Sequence, residues 1–167
     1  MLLACLLLAG CSDMPGRGNA LDAEGTQSSG TVGNTHAKTG QTWYFALPVP
    51  RNVSNHPIEI TGASVVDPPK GLKIVGYSAH HMNDTDGLPL LALEGESDTP
   101  DFARLKDYAD SPVRVPAKKD SDIFFQAKIR ITSPPEKNIE HCRFTYRQGD
   151  EEFTQTLDCG LELKVEQ

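Results

Sequence analysis

Residues 122–132, DIFFQAKIRIT, decide the fold class of this chain, because their apolar side chains recur at every second position. Successive side chains of a β-strand point to opposite faces, so this period gives one apolar face and one largely hydrated face. The apolar face carries Ile123, Phe125, Ala127, Ile129 and Ile131, and the other carries Phe124, Gln126, Lys128 and Arg130. The pattern predicts a half-buried strand.

The end of the chain repeats the pattern. In residues 153–165 every strongly apolar position is odd-numbered: Phe153, Leu157, Cys159, Leu161, Leu163 and Val165. Shorter β-like runs, separated by Pro and Gly turn signals, occur upstream at 42–47, 58–66, 72–77 and 88–93. Residues 101–108 could form one or two helical turns. Several short strands with almost no helical period predict an all-β sandwich.

Two of the four cysteines lie in the predicted β domain, at Cys142 and Cys159. An even pair would indicate a structural disulfide if the chain is exported, as its first residues suggest below, because such bonds persist in oxidising compartments. A redox-active pair is not favoured, since there is no Cys-x-x-Cys spacing.

The disulfide also suggests a register for the last two strands. If Cys142 lies directly opposite Cys159, then Phe144 faces Leu157 and the turn is centred after Asp150. A slip of one residue would put the two apolar sets on opposite faces. We therefore expect a C-terminal hairpin whose inner faces agree.

The first eleven residues, MLLACLLLAGC, resemble a bacterial lipoprotein signal with its lipobox. The apolar run is too short to span a bilayer and fits a signal peptide. The resemblance implies that residues 1–10 are removed and that Cys11 is acylated. The mature protein would then be held by lipid at the extracytoplasmic face of the cell membrane. The alternative is an apolar N-terminal strand of the domain.

Residues 11–40 are predicted to be the lipidated cysteine and a flexible linker, because they are rich in Gly, Ser, Thr and Asn and show no hydrophobic period. As a coil this linker would reach roughly 30 Å. The β-sandwich domain is predicted at residues 41–167.

The net charge of −7 argues against a nucleic-acid partner, which would require a basic surface, and we predict none. It also argues against membrane attachment through a polybasic patch, so the lipid would act alone.

A metal site has one weak candidate, formed by His80, His81, Met82, Asp84 and Asp86. These side chains suit copper or zinc, and the two aspartates resemble part of a calcium loop. Adjacent histidines on a strand point to opposite faces, however, and rarely share an ion. We favour a polar loop between strands and predict no metal or other cofactor.

No catalytic motif is present: the chain lacks Gly-x-Ser-x-Gly, a phosphate-binding loop and a dinucleotide fingerprint. We therefore predict no catalytic residues and no enzyme activity. The aromatic run Trp43-Tyr44-Phe45 could be a binding platform, but alternate members of a strand more often fill the core.

The order of features resembles small surface lipoproteins of Gram-positive, especially actinobacterial, genomes. It combines the lipobox, the linker, PVPRN at 48–52, PPKGLKIVG at 68–76 and the long alternating strand. The resemblance implies an immunoglobulin-like domain and carries over no catalytic residues. We expect a non-catalytic binding or accessory module that engages an envelope protein or the cell wall. The alternatives are a metal-binding protein that uses His80, His81 and Met82 and, ranked last, an envelope hydrolase.

Overall fold

The computed structural model describes residues 14–22 and 30–166 of the chain. A short 3-10 helix, Met82–Asp84, is the one helical element in that part of the chain, and the rest of its regular structure is β. The strands are β1 (Gly16–Arg17), β2 (Thr31–Ala37), β3 (Thr42–Ala46), β4 (Ile58–Val65), β5 (Leu72–His81), β6 (Leu91–Leu93), β7 (Val113–Val115), β8 (Ile123–Ile131), β9 (Ile139–Gln148) and β10 (Glu151–Val165). The predicted all-β class is confirmed.

Two sheets face each other. One has the order β1-β10-β9-β4-β7, with β2 also paired to β10, and the other has the order β5-β8-β3-β6. Strands β3, β4, β5, β8, β9 and β10 take the places of immunoglobulin strands B to G. They put B, E and D in one sheet and C, F and G in the other. The predicted immunoglobulin-like sandwich is confirmed.

The main core lies between the sheets and is built from the alternating apolar positions that the sequence shows. Phe125 of β8 meets Phe144 of β9 edge-on, with ring centroids 6.0 Å apart, so the two sheets are in direct aromatic contact. Trp43 and Phe45 are also buried in this core, as expected of a strand. Burial of each such side chain stabilises the fold by roughly 1.5–3 kcal/mol before entropy is counted.

The face of β8 that was expected to be hydrated is covered in part. Phe124 and Gln126 are both 0% exposed, because the long connection from β5 to β8 folds over them. Phe102, from this connection, is buried in a second apolar cluster with Phe124. The helical turns predicted at 101–108 do not form, and single turns occur there instead.

The domain starts earlier than the predicted boundary at residue 41. Within the predicted linker, β1 and β2 both pair in parallel with β10, and Ala20 and Leu21 are buried. The β2 segment is poor in apolar residues, so it is held mainly by backbone pairing with an edge of β10. Gly33 permits this close approach, because a Cβ there would lie 2.4 Å from the carbonyl oxygen of Glu162.

The C-terminal hairpin is confirmed, but its predicted register is wrong by two residues. Cys142 pairs with Leu157, and β9 and β10 are joined through Gly149 and Asp150. Gly149 has a φ of 64°, which suits a tight two-residue hairpin turn. A shift of two preserves the faces of both strands, so the apolar sets still agree.

The predicted disulfide between Cys142 and Cys159 is confirmed, with the Cα atoms 5.8 Å apart. It joins neighbouring strands of one sheet, whereas antibody domains join B and F across the two sheets. The β10 register shifts between Asp158 and Leu161, next to Cys159. A bulge of this kind changes the direction of side chains. Here it occurs next to Cys159, which forms the disulfide although Leu157, two residues earlier, is the direct partner of Cys142.

Candidate functional site

A cleft of about 270 Å³ lies on the outer face of the sheet that contains β5, β8 and β3. We call it the aromatic cleft. One wall of the cleft is formed by side chains on the outer face of these strands. The other wall is formed by residues of the connection between β5 and β8. The lining side chains that shape it are Tyr44, Ser78, His80, Phe102, Leu105 and Lys128.

The wall contributed by the connection is fixed to the edge of β5. Asp107 Oδ1 accepts a hydrogen bond from the Ala79 amide at 2.9 Å, and the Tyr108 amide donates to the Ala79 carbonyl at 2.8 Å. These two bonds satisfy backbone groups on a strand edge that would otherwise be open to pairing with another chain. The connection therefore closes the sheet edge and builds the cleft at the same time.

Aromatic rings form the apolar side of the cleft. The Phe102 ring lies 4.6 Å from the Tyr44 ring and 5.2 Å from the His80 ring, measured between centroids. Phe124 lies below them, 6.1 Å from His80. A flat apolar group would find ring faces and edges here, which are favourable contacts for an aromatic or aliphatic ligand.

A chain of hydrogen bonds forms the polar floor. His80 Nδ1 lies 3.0 Å from the Lys106 carbonyl oxygen, which can only accept, so Nδ1 carries a proton. In the neutral imidazole Nε2 is then an acceptor, and it lies 3.0 Å from the Ser78 hydroxyl. Gln126 Nε2 donates to that hydroxyl at 3.0 Å. In that tautomer the Ser78 hydroxyl can donate its proton to His80 Nε2.

The floor contains one unsatisfied group. Gln126 is fully buried, and its Oε1 has no hydrogen-bond partner among the residues that the structure describes. An unpaired buried carbonyl destabilises a fold by about 1–3 kcal/mol. This unsatisfied group lies beneath Ser78, to which Gln126 donates, and not on the surface of the cleft.

An ion pair stands at the rim. Glu94 Oε1 accepts from Lys128 Nζ at 2.5 Å and from the Tyr44 hydroxyl at 3.1 Å. The hydrogen bond from Lys128 lowers the pKa of Glu94, and the same bond raises the pKa of Lys128. Burial raises the pKa of Tyr44, so its hydroxyl stays protonated and keeps donating.

The metal candidates do not converge. His80 points into the cleft floor and uses both ring nitrogens, whereas His81 Nδ1 accepts from the Asn83 amide and caps the short helix. Met82 packs against the second cluster, and Asp84 and Asp86 are exposed. Over residues 14–22 and 30–166, no three His, Cys, Asp or Glu side chains are grouped as metal ligands.

The remaining predicted site residues lie outside the described part of the chain, and several residues of the cleft were not predicted. Cys11 and the signal peptide at 1–10 lie outside the described residues. Ser78 was missed by sequence reasoning, although its position two residues before His80 on one strand puts the two side chains on one face. Asp107 and Lys106 had no sequence signal, because they act through a loop that only the fold brings to β5.

No family model, curated protein or solved structure matches this chain. Among the described residues, no helix is long and apolar enough to cross a membrane.

Proposed function

We propose that the protein is a non-catalytic binding or accessory module of the cell envelope, anchored through lipid on Cys11. The aromatic cleft is its ligand site. The ligand is a group small enough for about 270 Å³ that combines an apolar, flat part with a hydrogen-bonding part. The observation that carries this proposal is the side-by-side arrangement of the Tyr44 and Phe102 rings and the Ser78–His80 floor.

Three properties of the cleft support recognition. It is concave and lined by both aromatic and polar groups, as ligand sites are. Its far wall is pinned to β5, so the site is largely formed before a ligand arrives and loses little entropy on binding. Its rim carries both signs of charge, Glu94 and Lys128, which can orient a polar ligand.

The test is site-specific photocrosslinking on intact cells that express the full-length protein. A photoreactive residue replaces Ala103, which lines the cleft and is exposed, or, as a control, Thr61, which is exposed on β4 of the other sheet. We expect one dominant envelope component to be captured from position 103 and not from position 61. The Cys11→Ala variant should lose the capture, because the domain would no longer be held at the membrane.

Equal capture from both positions would contradict the cleft as the ligand site. Capture that survives Cys11→Ala would contradict the lipid anchor and leave the cleft in place. The two parts of the proposal are thus tested separately.

A second candidate, an envelope hydrolase, is favoured by one contact, the 3.0 Å approach of Ser78 Oγ to His80 Nε2. A serine whose proton points at an oriented imidazole is the arrangement that activates a nucleophile. An active serine should be labelled by a fluorophosphonate probe, and Ser78→Ala should abolish the labelling. Absence of labelling in the folded wild-type protein would exclude this candidate.

A further inference from the structure

A second cleft, of about 500 Å³, lies on the outer face of the other sheet, above β10. It is lined by Arg17, Gly18, Arg143, Thr154, Gln155 and Thr156. In the register of the sheet, Arg17 of β1 is the partner of Thr154, and Arg143 of β9 is the partner of Thr156. Two arginines therefore flank a pair of threonine hydroxyls from opposite sides. We call this surface the arginine face.

The arginine face is suited to an oxyanion. Neither Arg17 nor Arg143 makes an ion pair with any residue that the structure describes, and both are exposed. A guanidinium presents a planar fork of donors that matches phosphate. The outward side chains on either side of the two threonines along β10 are acidic: Asp158 is paired with His141 at 3.2 Å, and Glu152 is exposed at the far end, opposite Arg147.

The arginine face is also close to the proposed anchor. Five Cα–Cα steps of 3.80 Å separate Cys11 from Gly16, so β1 lies within about 19 Å of the acylated residue. The predicted linker of residues 11–40 would have allowed a longer reach. Because β1 is paired with β10, the short segment between Cys11 and Gly16 sets the distance between the sheet and an acylated Cys11. The strand nearest the proposed anchor carries Arg17.

We propose that the arginine face docks on the membrane and binds the phosphate groups of anionic phospholipids. This inference rests on the proposed acylation of Cys11. The anchor supplies the attachment, and the two arginines set the orientation. The aromatic cleft lies on the outer face of the opposite sheet, so docking would point that cleft away from the bilayer and towards the envelope.

The experiment uses the acylated full-length chain in vesicles of phosphatidylcholine, with or without phosphatidylglycerol. Trp43, the single tryptophan of the chain, is the energy donor, and lipids with dansyl-labelled headgroups are acceptors. We expect more transfer when phosphatidylglycerol is present. A basic side chain at an anionic surface changes the docked-to-undocked ratio by about fivefold, so Arg17→Gln and Arg143→Gln together should reduce transfer to the phosphatidylcholine level.

The matched control is Arg130→Gln, which removes the same charge from the outer face of the opposite sheet and should leave transfer unchanged. Equal transfer in both vesicle types, or no effect of the double variant, would overturn the docking proposal. Loss of transfer on addition of inorganic phosphate at constant ionic strength would support recognition through phosphate groups, because free phosphate would compete for the same arginines. Vesicle flotation and intact mass measure acylation separately from docking. An acylated protein that floats with the vesicles but shows the same transfer with and without phosphatidylglycerol refutes docking alone. An unacylated protein refutes the anchor and docking together.

Discussion

The two outer faces of the sandwich differ in exposure, although each is formed by the outward-pointing residues of strands that alternate in a similar way. The outer face of the β5-β8-β3 sheet is covered by the β5–β8 connection, which buries Phe124 and Gln126 and leaves the aromatic cleft. The outer face of β9 and β10 is open and carries Arg143, Thr154 and Thr156. Whether the outer face of a sheet is buried or exposed therefore depends on whether a connecting loop packs over it. The covered face is the better candidate for recognition of a small group, and the open face for contact with a surface.

The largest expected effect concerns the loop that covers the first face. Phe102→Ala would remove a ring that contacts both Tyr44 and His80 and is 6% exposed. Loss of a buried phenylalanine destabilises a protein by about 3–5 kcal/mol. Denaturant unfolding should show this loss, while Val75→Ala, at an exposed position, should change stability by less than about 0.5 kcal/mol. An equally small effect of Phe102→Ala would mean that the loop covers the face without stabilising it.

On the open-faced sheet the corresponding test is the disulfide. Cys142→Ser would open a loop with a sequence separation of 17 and should lower the free energy of unfolding by about 3 kcal/mol. Unfolding in urea without reductant measures it. The Cys142→Ser/Cys159→Ser double variant should lose the same amount as the single variant, because both break one bond. Additive losses would show that the two cysteines stabilise the sheet by packing separately.

The smallest expected change in the free energy of unfolding comes from loss of the Glu94–Lys128 ion pair at the rim. Its dependence on pH distinguishes it from a packing effect. The Lys128 hydrogen bond lowers the pKa of Glu94 below 4.5, so the stabilisation is complete above the unfolded pKa and is lost as the pH falls through the folded value. The raised pKa of Lys128 means that the same stabilisation is lost again as the pH rises through that value.

We therefore expect Glu94→Gln to cost less than about 1 kcal/mol near neutral pH, as exposed pairs do. The difference from wild type should shrink in acid and in strong base. Chemical denaturation at several pH values measures it, with Glu96→Gln, an exposed neighbour without a described ion pair, as control. A difference that does not vary with pH would assign the effect to packing.

Much of the fold could be predicted from the sequence because the apolar residues of its two longest patterned segments recur at every second position. The period in 123–131 and 153–165 assigns each side chain to a face without knowledge of its partners. The disulfide was also predictable, since Cys142 and Cys159 are an even pair within the β region. The register was not, because the two-residue turn at Gly149 and the later bulge decide it, and both depend on backbone conformation.

The candidate site was predictable only in fragments. His80 attracted attention as a possible ligand, but its partners Ser78 and Lys106, and Gln126 behind Ser78, come from two strands and a loop. Sequence spacing could have linked only the first of these to it. The parallel pairing of β2 was hidden for another reason: Gly, Thr and Asn give no apolar period, and backbone bonds to β10 supply the pairing.

By itself the sequence determined most of the strands from residue 42 onward, their inner faces and the disulfide partners, because each depends on local spacing or on a short contiguous pattern. The tertiary structure alone decided where the domain begins, which outer face is covered, and how Arg17 comes to lie across β10 from Arg143. Those outcomes depend on contacts between segments far apart in the chain, such as the Ala20 amide with the Tyr146 hydroxyl and the Ala79 amide with the Asp107 carboxylate. No local pattern encodes such contacts, since they form only when the remaining strands have fixed the geometry.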